Sequence, residues 1–203
     1  MSTIHKKVLD DKQSQVWPLL LEFKNLYLAG GTALALQIGH RKSIDFDLFQ
    51  NKEIDSKKII QKLDRSKIER IIVDNKDEFT LIYDGIKLTF LNYPFEISPD
   101  VNLNGVKSVD PLTIAAMKAY ALGRRSKWKD YVDLYFVTQQ YSLKKIIKKA
   151  KDIFGRIFSE KLFRTQLCYF EDIDYSEEVA FSQDNHVSDK EIQEVLKKIA
   201  IDL

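Results

Sequence analysis

Apolar positions recur with two different periods along this chain, and the change from one to the other divides it. Over residues 12–24, Val16, Leu19, Leu20 and Phe23 fall at helical spacing. Pro18 is placed near the start of that segment, where its missing N–H costs least. Residues 26–29 are a short apolar run that reads as a buried strand, and 32–38 an Ala- and Leu-rich helix ended by Gly39. Residues 44–49 alternate acid and apolar, as a strand with one wet face does. Asp55 or Ser56 caps a helix running to residue 63. Strands follow at 68–73, 79–83 and 86–93, the last two joined by the hairpin pair Asp84-Gly85. Pro94 and Pro99 interrupt the pattern, 102–105 is a turn, and a strand at 106–109 leads into Asp110-Pro111, a helix start. From there the period is helical throughout: 111–123, 128–139, 142–154, 159–170 and 188–200. Ser126 and Ser188 read as N-caps, Ser188 with Glu191 at capping-box spacing. No internal repeat or low-complexity tract is present.

That order implies an α/β (α+β) lobe with a mixed sheet flanked by helices over residues 1–108 and an all-α helical lobe over 109–203. A cleft between two lobes is a common place for a ligand.

Composition narrows the setting. With 44% apolar residues the 203-residue chain has enough core for one large domain or two small lobes. A single cysteine, Cys168, excludes an intrachain disulfide framework and fits a reducing cytoplasm. No apolar run reaches the roughly 20 residues needed to cross a bilayer, and residues 1–11 are polar, without a signal-peptide apolar region. The net charge of +2 says little, but its distribution says more. Lys118, Arg124, Arg125, Lys127, Lys129, Lys144, Lys145, Lys148, Lys149 and Lys151 make 118–151 a basic stretch able to gather phosphates or RNA, unless its helices simply present a solvated face. Beyond Gln166 the balance reverses, with Glu171, Asp172, Asp174, Glu177, Glu178 and Asp184.

Two patches thirteen residues apart carry the candidate chemistry. Gly30-Gly31-Thr32 lies where a strand turns into a helix, so backbone N–H groups can approach a phosphate at the helix N-terminus. Asp45 and Asp47 flank Phe46; one residue apart on a strand, they point to one face about 7 Å from each other. Hard cations such as Mg²⁺ take oxygen ligands and share them with substrate phosphates. Ser43 falls on the face of Asp45, within reach of a phosphate. Arg41 in the preceding loop would steady one, while His40 reads as a surface histidine.

The string LYLAGGTALALQIGHRKSIDFDLF at 26–49 resembles the polymerase-β-like nucleotidyltransferases, and within them the AbiEii/AbiGii-type toxins of type IV toxin–antitoxin and phage-abortive systems. A second block, Lys118 followed by Lys127-Trp128-Lys129-Asp130-Tyr131-Val132-Asp133, matches that family's Lys on one helix and K-D-x-x-D on the next. The resemblance implies a nucleotidyltransferase-like lobe with a helical lobe, an NTP substrate, a pair of Mg²⁺ ions on Asp45 and Asp47, and a cognate antitoxin protein. It implies Lys118 on the triphosphate, with Lys129 nearby. Asp130 is favoured for a role in the site and Asp133 for a structural one, although either acid would also pin the two helices by pairing with Lys129 or Arg125. The acceptor would be an RNA such as tRNA, a protein hydroxyl or a small molecule. One feature departs from the pattern: the neighbouring strand that should carry a third acid, 86–91, has none, and Thr89 occupies the place, with Asp84 and Glu96 only at its ends. A fold that binds nucleotide or RNA without turnover is therefore the alternative to an active enzyme.

Overall fold

The computed structural model describes residues 4–182 and 185–202. Asp184, counted above in the acidic excess, lies outside them, as do residues 1–3 of the polar N-terminus. The chain divides into two compact units, Met1–Asp110 and Pro111–Leu203.

The first unit holds a seven-stranded mixed sheet. Its strands are β1 (Tyr27–Ala29), β2 (Phe46–Gln50), β3 (Ile68–Asp74), β4 (Glu78–Tyr83), β5 (Ile86–Asn92), β6 (Val101–Leu103) and β7 (Val106–Ser108), in the order β3-β4-β5-β2-β1-β7-β6. The pairs β2–β5 and β1–β7 are parallel and the rest antiparallel. Helix α1 (Asp11–Leu20) opens with a capping box in which the Gln13 N–H donates to the Asp10 carboxylate at 2.7 Å and the Asp10 N–H donates to the Gln13 amide at 3.1 Å. Its buried stripe is Gln13, Val16 and Leu20, continued by Phe23, with Leu19 at the margin. Pro18 falls in the last turn rather than the first, and the helix ends two residues later. Trp17 meets Phe46 edge-on at 5.9 Å and Phe23 meets Phe90 at 5.0 Å. Helix α1 thus covers the sheet face built by Phe46, Leu48, Leu88 and Phe90, each of which is fully buried and contributes about 2 kcal/mol by leaving water. Alternation then assigns Asp47, Thr89 and their same-parity neighbours to the opposite face.

Helix α2 (Gly30–Ile38) follows β1 without a loop and ends at Gly39 in the left-handed region, φ 67°. Asp55 caps the short α3 (Ser56–Ile60). Two hairpins share one turn chemistry. Asp84-Gly85 has φ of 52° and 78°, and Asn104-Gly105 has 49° and 93°, the all-positive pattern that matches strand twist. The second was expected only as a turn. The strand after it, β7, was expected over 106–109; β6, three residues long, was not, because so short a strand shows no period of two.

The second unit consists of α4 (Pro111–Ala121), α5 (Trp128–Thr138), α6 (Leu143–Phe154), α7 (Glu160–Gln166) and α8 (Asp189–Ile201). Tyr120 of α4 stacks on Phe154 of α6 at 4.2 Å, and the Trp128 indole N–H donates to Asp189 at 3.1 Å, tying α5 to the start of α8. Ser188 caps α8 as expected, accepting the Glu191 N–H at 3.2 Å. Ser126 does not cap α5; that position is Lys127 and has no side-chain cap. The Ser126 carbonyl instead accepts the Asp174 N–H at 2.7 Å, and the Asp174 carbonyl accepts the orphan Trp128 N–H at 3.1 Å. A backbone segment far along the chain satisfies this helix end, a partner that local sequence does not reveal.

Candidate active site

The end of β1 and the start of β2 create the site in the first unit. Ala29 pairs with Asp47, so Asp47 lies beside the first residue of α2. Gly30 there has φ 74°, and a Cβ on it would come within 2.6 Å of Asp47 Oδ2. Only glycine lets this backbone approach the carboxylate so closely. A Cβ on Gly31 would meet Arg41 Nη2 at 2.5 Å and Ser43 Oγ at 3.2 Å. The N-terminus of α2 therefore faces a carboxylate at its first residue and a guanidinium and a hydroxyl at its second. Helix N-termini with free N–H groups and a cation alongside bind phosphate.

The surrounding shell is fixed by buried polar groups. The Thr32 hydroxyl, 1% exposed, donates to the Asp45 carbonyl and shares a hydrogen bond of 2.8 Å with the Ser43 hydroxyl. Thr32 thus holds the approach to β2 against α2. The buried Gln13 amide donates to the Ser43 carbonyl at 2.7 Å, so α1 steadies the same loop. His40 and Arg41 are buried, at 1% and 2% exposure. The expectation of a surface histidine fails: the loop is enclosed, with Arg41 against Gly31 of α2. Arg41 Nη1 donates to the Lys42 carbonyl at 2.9 Å, which braces the guanidinium beside Gly31.

Asp45 lies one residue ahead of β2 and its side chain is partly exposed. The parallel register sets Asp47 against Thr89 and Phe46 against Leu88. Extending it by one step puts Lys87 beside Asp45, and the Lys87 ammonium is 2.6 Å from Asp45 Oδ2. The place across from the acid pair is therefore filled by Thr89 and Lys87, not by a third acid. Lys87 was not among the expected site residues. The alternation of β5 showed that it shares a face with Thr89, but only the pairing register brings it to Asp45.

The remaining expected residues lie in the second unit, where Lys118 and Asp130 share one cluster and Lys129 belongs to another ion pair. Lys118, 5% exposed, places its ammonium 2.5 Å from Asp130 Oδ1 and 2.7 Å from Asp133 Oδ2. Arg125 Nε reaches Asp130 Oδ2 at 3.1 Å. Two cations and two acids balance there. The charge on an otherwise apolar α4 is explained by these two carboxylates on α5. Lys129 pairs with Glu177 at 3.1 Å, and Lys127 also donates to that carboxylate. The Lys127 hydrogen bond, reinforced by Lys129, lowers the Glu177 carboxyl to about 2. Arg124 stacks over the Tyr120 ring at 3.7 Å. The basic stretch of 118–151 is thus not one stripe. Much of its first part is neutralised internally, Lys148 pairs with Asp152 and Lys151 with Glu160, and Lys144, Lys145 and Lys149 on α6 make no ion pair among the described residues.

A mixed sheet that sets an Asp-x-Asp pair against a glycine-opened helix is the framework of the nucleotidyltransferases, and solved structures bear out the fold. MenT4, a nucleotidyltransferase toxin from Mycobacterium tuberculosis, superposes with a TM-score of 0.60 over 94% of this chain and 81% of its own, at 14% identity. JHP933 from Helicobacter pylori superposes with a TM-score of 0.54 over 97% of this chain and 88% of its own, at 18% identity. The profile of the family described as nucleotidyl transferase AbiEii toxin, type IV TA system, matches residues 15–104, a span that includes both motif patches of the first unit. An uncharacterised protein of Aquifex aeolicus (strain VF5) is 36% identical over 155 residues, 73% of this chain and 75% of that protein. The chain belongs to the AbiEii nucleotidyltransferase toxin family. Among the described residues, no helix is long and apolar enough to cross a membrane.

Proposed function

We propose that the chain is a Mg²⁺-dependent transferase that moves a nucleoside monophosphate from an NTP to an RNA or protein acceptor, as the toxin of a toxin–antitoxin pair. The observation that carries this reading is the meeting of Asp47, Arg41 and Ser43 with Gly30 and Gly31 at the N-terminus of α2. The donor set offered by Asp45 and Asp47 is all oxygen, as Mg²⁺ prefers, and no group of three or more His, Cys, Asp or Glu side chains with metal-holding geometry occurs among the described residues. A pair of carboxylates with the remaining ligands drawn from phosphate and water is the usual Mg²⁺ arrangement in phosphoryl transfer. The metal, two ions by the family resemblance, would neutralise phosphate charge. The chain's own groups do the rest. Gly30, Gly31, Arg41 and Ser43 hold the phosphates, and Asp45 and Asp47 fix the geometry of attack. The acceptor oxygen bonds to the α-phosphorus, the bond from it to the bridging oxygen breaks, and pyrophosphate leaves. Positioning and charge neutralisation are the main sources of rate in such reactions. Lys118, Asp130 and Lys129 enter through the second motif block alone. The free lysines of α6 favour an RNA acceptor such as tRNA, and a cognate antitoxin protein follows from the family.

Incubation with each α-labelled NTP, Mg²⁺ and either total RNA or lysate tests this reading. Label in RNA or protein, absent with EDTA, is the expected result. Nucleotide binding with no transfer to any fraction would overturn transfer in favour of a second reading, a binder of nucleotide or RNA with weak or no turnover. That reading draws on Thr89 and Lys87 standing where a third acid is expected.

A further inference from the structure

Asp45 and Asp47 are two acids on one face, and an opposite charge close by favours their charged forms. This chain carries one of its own. The Lys87 ammonium is 2.6 Å from Asp45 Oδ2, on a side chain 39% exposed beside a carboxylate 30% exposed. The lysine is therefore a tethered ion on a flexible stem at the edge of solvent, able to swing away. The parallel register sets Thr89 against Asp47, and one step beyond its end Lys87 meets Asp45. A divalent ion held by Asp45 would compete with the ammonium for that carboxylate. A nucleoside triphosphate changes the balance by bringing several negative charges to the N-terminus of α2.

We propose that Lys87 is the resident counter-ion of the acid pair: it occupies Asp45 while the site is empty and passes to the phosphates when metal and nucleotide arrive together. Metal binding is then coupled to nucleotide binding, and the chain binds metal more weakly alone than with nucleotide. This inference rests on the assignment of Asp45 and Asp47 as metal ligands.

The test is Mn²⁺ binding by the full chain, followed by electron paramagnetic resonance of the free ion, with and without α,β-methylene NTPs. Lys87→Met and Lys87→Gln should each tighten Mn²⁺ binding without nucleotide by about tenfold, and should shrink the gain that nucleotide adds in wild type, in the usual range of coupling between sites. Lys87→Arg, which keeps the charge, should behave as wild type. Circular dichroism checks folding, and two neutral variants guard against one failing to fold. Mn²⁺ affinity unchanged or weakened in both neutral variants, with Asp45→Ala abolishing binding, would overturn the counter-ion role and leave the metal site standing. Wild-type Mn²⁺ affinity in Asp45→Ala and Asp47→Ala would overturn the metal site, and the counter-ion with it.

Discussion

Asp47 is held from both sides at once: Ala29 pairs with it on one strand and Thr89 on the other, while Gly30 clears the space beside its carboxylate. Its position comes from the backbone pairing on both sides. Asp45→Ala and Asp47→Ala should each abolish label transfer while shifting the melting temperature by only a few degrees, since neither deletes a core contact. Persistent transfer in the double variant would remove the acids from the mechanism. Thr89 offers the converse experiment. Thr89→Asp adds a carboxylate across from Asp47 and raises repulsion when no metal is present. It should melt lower than wild type in EDTA and gain more from added Mg²⁺, because a ligand that binds only the native state stabilises it by mass action. A base there would also assist the acceptor hydroxyl, an effect typically worth about 10²–10⁴ in rate. Equal Mg²⁺ stabilisation of variant and wild type would show that position 89 is not a vacant ligand position.

Helices and strands here are joined by pairings that their own periods do not announce. Helix α5 begins without a side-chain cap and depends on the 174–177 segment, which supplies the Asp174 carbonyl to Trp128 and the Glu177 carboxylate to Lys127 and Lys129. The Glu177 carboxyl falls from 4.5 to about 2 in the folded chain, chiefly through its hydrogen bond to Lys127. A lowered folded pKa means stability that is full above the unfolded value and is lost as pH falls toward the folded one. The window is therefore from about pH 4.5 down to about 2. The pair is open to solvent, so screening keeps the effect within about 1 kcal/mol. Wild type should lose more thermal stability than Glu177→Gln between pH 5 and pH 3. Parallel curves would show that the segment is not held by this carboxylate. The same ion pairs reduce the basic stretch, and on α6 Lys144, Lys145 and Lys149 make no ion pair among the described residues.

Across the molecule, two polar clusters stand on two units, and they differ in kind. The cluster of the first unit is partly exposed, Lys87 at 39% and Asp45 at 30%. The cluster of the second unit is buried, with Lys118 between Asp130 and Asp133, which are 3% and 0% exposed. Removing one member of a buried ion group leaves uncompensated charge and costs about 3–5 kcal/mol. Lys118→Ala should show that loss in urea unfolding, and Lys118→Ala with Asp133→Ala should recover part of it by restoring charge balance. A loss below about 1 kcal/mol would mean that the cluster contributes little to the fold. NTP affinity measured on the same variants separates a phosphate contact from this structural part.

The sequence by itself determined what depends on neighbours in the chain. The Gly-Gly turn into α2, the Asp-x-Asp alternation, the Asp-Gly hairpin, the Ser188 cap and the succession of sheet before helices are all local signals, set by φ preferences, side-chain periods and capping chemistry. Only the tertiary structure decided what those signals meet. The three-residue β6 holds its place by pairing with β7, not by period. His40 and Arg41 are buried, with Arg41 against Gly31 of α2. Lys118 is neutralised by acids twelve and fifteen residues on, and Lys87 reaches Asp45 across forty-two residues. Such contacts follow from strand register and helix packing, which are chosen by the free energy of the whole core and leave no period in the chain to read.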